Sequence, residues 1–255
     1  MRNHLAANIL PSYIRTQLFG YRKEDSIEFN ENDPDWKLWQ SAYHDFYDET
    51  QTSGFGGYIT GLGYRIIKKI DLSSKNLLEI GPGSVPHLKF WNKEPKRYVS
   101  VEIDSRFNEK IGNKIKNHNM ITRSKVSFKI DVPDESIDII LTFYSLEHLM
   151  QLDENLLEFH RILKNDGIIV GAIPNEGGLA WGLGRFFFTR RWIRNRYKIN
   201  YDKIISWEHP SYCDEIRDSL DRIFDRIQWS QYPFPFLRSF NINLISTFIY
   251  RKHKI

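Results

Sequence analysis

The chain of 255 residues has 36 Lys and Arg against 32 Asp and Glu, a net charge of +4 at pH 7. So weak a positive charge does not by itself argue for a nucleic-acid partner. Because Cys213 is the only cysteine, an intrachain disulfide is excluded and a reducing cytoplasm is favoured. We expect one α/β domain with additions, and neither a signal peptide nor a membrane span, since no apolar run is long enough.

The first 65 residues do not alternate strand and helix, so we expect a helical segment, residues 1–65, ahead of a core, residues 66–255. Asp33 and Pro34 are typical of a helix start. A glycine-rich stretch around Tyr58 follows that helix. Two interpretations stay open. The segment is a lid that closes over a ligand and excludes water, with Tyr58 touching the substrate, or it is a helix packed on the core with a flexible connector.

Two predicted strands each end in a carboxylate. Leu77–Ile80 contains Glu79 and runs into the glycine turn Gly81–Gly83, and Tyr98–Ile103 contains Glu102. Adjacent parallel strands would place both acids at one sheet edge, where open α/β folds bind nucleotide-like ligands. The second acid could accept both hydroxyls of a ribose, and the glycines let the backbone approach the ligand.

The sequence of this turn bears on whether the ligand is a dinucleotide such as NAD. A dinucleotide fingerprint, G-x-G-x-x-G, needs a third glycine for close packing of helix and strand. Pro86 occupies that position here and delays the start of the helix. The turn therefore disfavours NAD, although an NAD-dependent oxidoreductase stays open as an alternative.

The rest of the chain alternates strands and helices, which is typical of a parallel sheet with helices on both faces. We predict a seven-stranded, mostly parallel, Rossmann-like sheet with an insertion at 174–212, after the fifth strand, that binds the acceptor. The predicted elements are a third strand Val126–Ile130, a fourth strand Ile137–Phe143, a helix from Asp153, a fifth strand Gly167–Ile173, a helix Asp214–Phe224, and strands Arg226–Trp229 and Asn243–Tyr250.

Three motifs in this order resemble the class I S-adenosylmethionine-dependent methyltransferases of the small-molecule type. Leu77–Ser84 is similar to their motif I, E/D-x-G-x-G. Val132–Ile140, with sequence VPDESIDII, and Leu163–Gly167, with sequence LKNDG, are similar to two later motifs. The resemblance covers roughly residues 70 to 173 and the final helix and strands. It implies S-adenosylmethionine as the cofactor and methyl transfer to a small molecule.

The resemblance also implies site residues. Glu79 would lie near the methionine amino group, Gly81 and Gly83 would line the methionine moiety, and Glu102 would bind the ribose. Many relatives have a G-D-A triplet whose Asp holds the adenine, but no acid stands in the matching stretch here. Adenine recognition would then fall to backbone groups or to Asp131. The remaining predicted cofactor residues are Pro82, Ile103 and Tyr144.

The segment after the fourth strand, Tyr144–His148, holds the first candidate base. Some relatives have E-x-x-E-H here and bind a divalent metal, but Tyr144 replaces their first Glu. A lone Glu–His pair is a poor site for a hard metal, so we expect none. His148 could take a hydroxyl proton near neutral pH, with Glu147 beside it. Alternatively, both residues only orient the loop.

The predicted insertion is basic and aromatic. Arginine forks suit phosphates or carboxylates, which predicts an anionic acceptor bound by Arg185, Arg190, Arg191 and Arg194. A solvated basic helix is the other interpretation. The N-P-P-[YF] motif of base amino-methyltransferases is missing, so nucleic acid is not expected. His209, fixed by a following proline, is the second candidate base, or else a surface histidine in a turn.

The sequence thus favours O-methylation, by a cytoplasmic enzyme, of a small anionic or sugar-type metabolite. A phosphorylated metabolite, a nucleotide sugar or a precursor of a surface polysaccharide would fit. A catalytically silent domain that binds the cofactor and acts as a scaffold is the alternative from another functional class.

Overall fold

The sheet has seven strands in the order β3-β2-β1-β4-β5-β7-β6. The computed structural model describes residues 4–22, 25–46, 54–102, 111–112, 114–115, 118–122 and 128–253. The strands are β1 Asn76–Ile80, β2 Arg97–Glu102, β3 His118–Thr122, β4 Ile137–Phe143, β5 Leu163–Pro174, β6 Phe224–Tyr232 and β7 Ile245–Lys252.

Strands β1 to β5 are parallel, and β7 is antiparallel to both β5 and β6. The predicted Rossmann-like, mostly parallel sheet is confirmed. The strand order reverses between β1 and β4, so the carboxyl ends of these two strands flank the crevice where such sheets bind ligands.

The third strand lies earlier than the sequence predicts. Val126 is outside the described residues, and Ile130 pairs with a helix instead of a strand. Its N–H donates to Glu158 at 2.6 Å and its carbonyl accepts from Arg161 at 3.0 Å. The true β3 begins at His118, whose Nε2 lies 2.6 Å from Ser100 Oγ. The first residues of β3 are polar, so a search of the sequence for apolar runs does not find this edge strand.

Helices cover the sheet and build the additions. They are α1 Ala6–Ile9, α2 Ser12–Phe19, α3 Pro34–Phe46, α4 Gly54–Tyr64, α5 Leu152–Ile162, α6 Leu179–Gly184, α7 Arg190–Tyr197, α8 Tyr201–Glu208 and α9 Cys213–Ile223. A π-helical turn, Arg185–Thr189, joins α6 to α7, and 3₁₀ turns occupy Arg65–Lys69, Pro86–Phe90 and Leu146–His148. Within the described residues, no helix is both long and apolar enough to cross a bilayer.

Both faces of the sheet are packed, as predicted. On one face Leu156 and Phe159 of α5 and Ile216 of α9 join a core that also includes Leu5, just before α1, and Phe19 of α2. On the other face a second core, around Ile66 and Ile67, covers β1, β2 and β4. The sheet is therefore sequestered on both sides, and its carboxyl edge is the part available to a ligand.

The N-terminal helices pack on the region that follows β5. Asp33 caps α3 as predicted, because its Oδ1 accepts from the N–H of Asp35 at 2.9 Å. Trp36 and Trp39 of α3 pack with Tyr201 and neighbouring apolar residues of α8 in a separate aromatic core. These aromatic contacts hold the N-terminal segment against the segment between β5 and α9.

Candidate functional site

The glycine turn after β1 has the left-handed backbone that favours glycine. Gly81 has φ 61° and Gly83 has φ 53°. The Gly81 N–H donates to Val101 O of β2 at 2.9 Å, which fixes the turn between the two strand ends. A Cβ on Gly81 would lie 3.2 Å from the Cβ of Ser145. The turn is therefore in close contact with the loop that follows β4.

Glu102 ends β2 beside this turn. Its carboxylate Oε2 accepts from the N–H of Gly83 at 3.2 Å, and the residue is 9% exposed. Glu102 thus orders the glycine turn, and its contact with a ribose stays a prediction. The next predicted cofactor residue, Ile103, is outside the described residues.

Glu79 points into the core layer beside β2. It is buried, accepts a hydrogen bond from Tyr98 Oη at 2.6 Å, and lies 3.2 Å from His87 Nε2. Burial and the charge of Glu79 raise the pKa of Tyr98 well above its usual value, so Tyr98 stays a donor. The predicted contact of Glu79 with a methionine amino group stays a prediction.

The chain after the turn does not form a dinucleotide cradle. Pro82 is buried, and its carbonyl accepts from the N–H of Val85 at 2.9 Å. Val85 is left-handed with φ 51°, and Pro86 then starts a 3₁₀ turn of five residues. An anion site at a helix N-terminus needs an α-helix that begins directly after the turn. This geometry does not support the NAD-dependent alternative.

Tyr144 connects α4 to the carboxyl end of β4. Its φ is 55°, and its hydroxyl donates to Thr60 O of α4 at 2.9 Å. Gly63 allows this contact, since a Cβ there would lie 2.2 Å from the Tyr144 hydroxyl oxygen. Tyr58, on the same helix, is 58% exposed. Helix α4 therefore contacts the edge of the site, where the lid is predicted.

Asp131 lies apart from these contacts. It is exposed, and its neighbour Ile130 is held by Arg161 and Glu158 of α5. Its assignment to the adenine stays a prediction.

The two candidate bases, far apart in sequence, lie in contact. The ring centroids of His148 and His209 are 4.2 Å apart, and the rings are nearly perpendicular. His148 Nδ1 lies 3.1 Å from the carbonyl oxygen and 3.5 Å from the carboxylate of Glu208. His209 Nδ1 bonds the carboxylate of Glu176, whose other oxygen accepts from Arg22 at 2.6 Å. A chain of Arg22, Glu176 and His209 therefore ends beside His148.

The surroundings of the two histidines drive their pKa values apart. Burial disfavours the charged form of both, but the bond to Glu208 and the charges of Glu147, Glu208 and Glu176 raise the pKa of His148 to about 8. For His209, burial outweighs the attraction of Glu176, and the nearby His148 also lowers its pKa. Near pH 7 the pair is thus a cation and a neutral imidazole.

His148, His209, Glu147, Glu176, Glu208 and Arg22 form a cluster that we call the histidine cluster. Two of its carboxylates have pKa values shifted in opposite directions. Burial raises the pKa of Glu147 to about 7, and its Oε2 has no hydrogen-bond partner among the described residues. Burial acts on Glu176 too, but contacts with His209 and Arg22 more than offset it and lower its pKa to about 2. Glu176 is therefore a fixed negative charge, whereas Glu147 titrates near neutrality.

Residues 78–171 match the protein family described as methyltransferase domain. Residues 78–171 are thus a methyltransferase domain, and the match together with the fold supports a class I S-adenosylmethionine-dependent methyltransferase. No curated protein matches the sequence.

Solved methyltransferases share the fold. The N-methyltransferase NodS from Bradyrhizobium japonicum, in complex with S-adenosyl-L-homocysteine, is 14% identical, with 85% of this chain and 99% of NodS covered and a TM-score of 0.56. A SAM-dependent methyltransferase from Aquifex aeolicus is 13% identical, with coverages of 89% and 100% and a TM-score of 0.53. The CurJ carbon methyltransferase is 15% identical, with coverages of 85% and 61% and a TM-score of 0.59. At such identities the likeness shows the fold alone.

The residues present fit the methyltransferase cofactor, S-adenosylmethionine. Gly81 and Gly83 place no side chain at two positions of the turn, and the Glu102 carboxylate stands at the adjacent strand end. When bound, the cofactor supplies an electrophilic methyl group. The contact between Gly81 and Ser145 places the β4 loop, with Glu147 and His148, next to this turn.

Two of the arginines predicted to bind the methyl acceptor form ion pairs within the protein. Arg185 is buried, and it bonds Asp202 and donates to Gln17 O at 2.8 Å. Arg190 binds the same carboxylate through Nε and Nη2, the latter at 2.6 Å. The structure therefore does not support these two as acceptor ligands, because their guanidinium groups hold α8 against α2 and α7. Arg191 and Arg194 are exposed.

Arg190 and Arg194 also line a cavity of about 270 Å³, which Asp202 shares. The sequence shows how many arginines the segment has, but it does not show that Asp202 forms ion pairs with two of them, Arg185 and Arg190. As for metals, no group of three or more His, Cys, Asp or Glu within the described ranges is arranged to hold an ion.

Two members of the histidine cluster were missed from the sequence. Glu176 lies two residues after β5 and precedes Gly177, which resembles the pattern of an acid near a strand end that identified Glu79 and Glu102. That signal could have found it. Arg22 has no such signal, because only the packing of α2 on the β5–α9 segment brings it to Glu176.

Proposed function

We propose that the enzyme methylates a hydroxyl oxygen of a small molecule, with His209 as the general base. The observation that carries this proposal is the His209–Glu176 pair, which contacts His148 in the loop whose Ser145 lies against the glycine turn. Methyl transfer is an in-line displacement that requires alignment, and an alcohol must also lose its proton. An amine that is already neutral has no such need in the displacement itself.

The order of the two bases changes from the sequence prediction, which placed His148 first. A base must be unprotonated near the working pH. Since His209 has a lowered pKa and His148 a pKa of about 8, His209 is the better base. Its Nδ1 is held by Glu176, which leaves Nε2 to receive the proton. We assign His148, with Glu208 and Glu147, to positioning and to keeping His209 neutral.

For the acceptor we retain a sugar-type or anionic metabolite, with a phosphorylated metabolite, a nucleotide sugar or a polysaccharide precursor as the classes to test. Arg191 and Arg194 are the remaining candidates for an anionic group, because both are exposed and arginine binds phosphate through two parallel bonds. Tyr58 on α4 is the candidate lid contact. We expect the reaction to take place in the cytoplasm.

The test is transfer of a labelled methyl group to a panel of hydroxyl, amine and carbon acceptors of these classes. His209→Ala should lower turnover on a hydroxyl acceptor by roughly 10²–10⁴ while cofactor binding persists. His253→Ala, an exposed histidine after β7, is the matched control and should be fully active. Transfer to amines or carbon alone, or full activity of His209→Ala, would contradict the proposal. A protein that binds cofactor but methylates no acceptor would support the scaffold alternative.

A further inference from the structure

Three segments without any acidic residue meet on one side of the molecule. Residues 4–22, 177–201 and 233–244 contain nine Lys and Arg and no Asp or Glu. Four of the nine form ion pairs with acids outside these segments, and the other five, Arg191, Arg194, Arg196, Lys198 and Arg238, are exposed. They also contribute eleven of the eighteen large apolar side chains that are exposed among the described residues. A surface both apolar and basic differs from an ordinary solvated face, on which charges of both signs are mixed.

Asn241 joins these three segments. Its Oδ1 accepts from the N–H of Ala6 at 2.9 Å and from the N–H of Leu179 at 3.3 Å, and its Nδ2 donates to His4 O at 2.7 Å. Gly182 also packs closely against Phe19 of α2. The three segments are therefore adjacent in the structure, and we name their exposed apolar and basic side chains the basic aromatic surface. Its apolar members are Ile9, Tyr13, Ile14, Leu179, Leu183, Phe187, Phe188, Phe234, Phe236, Leu237 and Ile242.

The helical run Leu179–Tyr197 gives this surface its amphipathic character. Leu179, Leu183 and Phe187 are four residues apart and 40–53% exposed. Phe188 is 75% exposed, and Phe236 in the β6–β7 loop is 77% exposed. Exposing large aromatic side chains to water to this extent is unfavourable, and a contiguous group of them marks an interaction site.

The charges of the exposed arginines indicate which kind of partner the basic aromatic surface binds. Arg191 and Arg194 follow Phe187 at helical spacing, and Arg238 follows Phe236 by two residues. In the described part of the chain these three have no ion pair. Two copies of this surface placed face to face would bring arginine against arginine, which opposes self-association. Protruding aromatics flanked by basic residues instead suit the interface of a bilayer with negatively charged headgroups.

We propose that the basic aromatic surface docks the enzyme on an anionic lipid bilayer, with Phe188 and Phe236 entering the interface and Arg191, Arg194 and Arg238 contacting the headgroups. This role does not rest on the proposed base. Arg191 and Arg194 are also the candidates for an anionic group of the acceptor, so Phe188 and Phe236, which the proposed function does not use, separate the two roles. It also gives a function to the two exposed arginines that the ion pairs with Asp202 do not engage.

The test is sedimentation of the full-length protein with vesicles of phosphatidylcholine alone or with 30% phosphatidylglycerol. We expect binding only to the anionic vesicles, weakened at least about fivefold between 50 and 500 mM salt, since headgroup attraction is screened. Arg191→Glu with Arg194→Glu, and separately Phe188→Ala with Phe236→Ala, should each weaken binding at least about tenfold. Circular dichroism and the thermal midpoint of each variant establish that it is folded.

Matched controls lie elsewhere on the molecule. Lys93→Glu with Lys96→Glu makes the same charge change, and Leu157→Ala with Met150→Ala removes two exposed apolar side chains. These variants should bind like the wild type. The proposal is overturned if wild-type protein ignores anionic vesicles, if neutral vesicles bind it equally, or if the controls lose as much binding. A concentration-dependent dimer that Phe188→Ala dissociates would also overturn it, because the surface would then belong to a second copy.

Discussion

Replacing Glu176 by Gln tests whether this residue is the fixed negative charge of the histidine cluster. The substitution keeps the shape of the side chain but leaves the buried Arg22 without its counter-ion. The pKa of Glu176 falls from 4.5 to about 2 in the folded protein. A tenfold change in an acid constant is about 1.4 kcal/mol, so the carboxylate contributes about 3 kcal/mol to folding at pH 7. That magnitude agrees with the cost of breaking a buried ion pair.

The sign of the pH dependence follows from the lowered pKa. The contribution is fully present above pH 4.5 and is lost as the pH falls towards 2. Urea unfolding of wild type and Glu176→Gln should therefore differ by about 3 kcal/mol at pH 7, and by about 1.4 kcal/mol less at pH 3.5. Glu154→Gln, at an exposed position on α5, is the control and should change stability by less than about 0.5 kcal/mol. A difference that is the same at both pH values, or below about 1 kcal/mol at pH 7, would refute the reasoning.

Four further predictions concern the site. Glu102→Ala should raise the dissociation constant of S-adenosylhomocysteine at least about tenfold in calorimetry, because it removes hydrogen bonds to a charged acceptor; an unchanged constant would exclude Glu102 from the ribose site. His148→Ala should cost less turnover than His209→Ala at pH 7, and the reverse order would restore His148 as the base. Gly63→Ala should displace Tyr144 from Thr60 and lower the thermal midpoint by several degrees, whereas Gly61→Ala, which meets open space, should not. If the acceptor is anionic, Arg194→Ala should raise its KM in a salt-dependent way and spare cofactor affinity, and salt-independent kinetics would contradict that charge.

The fold was predictable because the signals that define it are local. Apolar strands that end in Glu79 and Glu102, with a glycine turn between them, identify β1, β2 and the ligand edge from sequence alone. The edge strand β3 was misplaced because its first residues are polar, and apolar content is the main signal for a strand. Local patterns thus describe the parallel core well and its edge poorly.

The site was only partly predictable because its chemistry depends on long-range contacts. His148 and His209 were each identified, but their contact, and hence the separation of their pKa values, arises from the packing of the β5–α9 segment on the β4 loop. Arg185 looked like an anion ligand because sequence shows its charge and not its bond to Asp202. Which arginine is paired and which histidine is neutral are properties of the tertiary structure.

The central claim is that the glycine turn and Glu102 form a methyl-donor site. Titration calorimetry of the wild-type protein with S-adenosylhomocysteine and, separately, with NAD tests it most directly. We expect S-adenosylhomocysteine to bind with micromolar affinity, Glu102→Ala to lower that affinity at least about tenfold, and NAD to give no heat of binding. Binding of NAD, or S-adenosylhomocysteine binding that Glu102→Ala leaves unchanged, would contradict it.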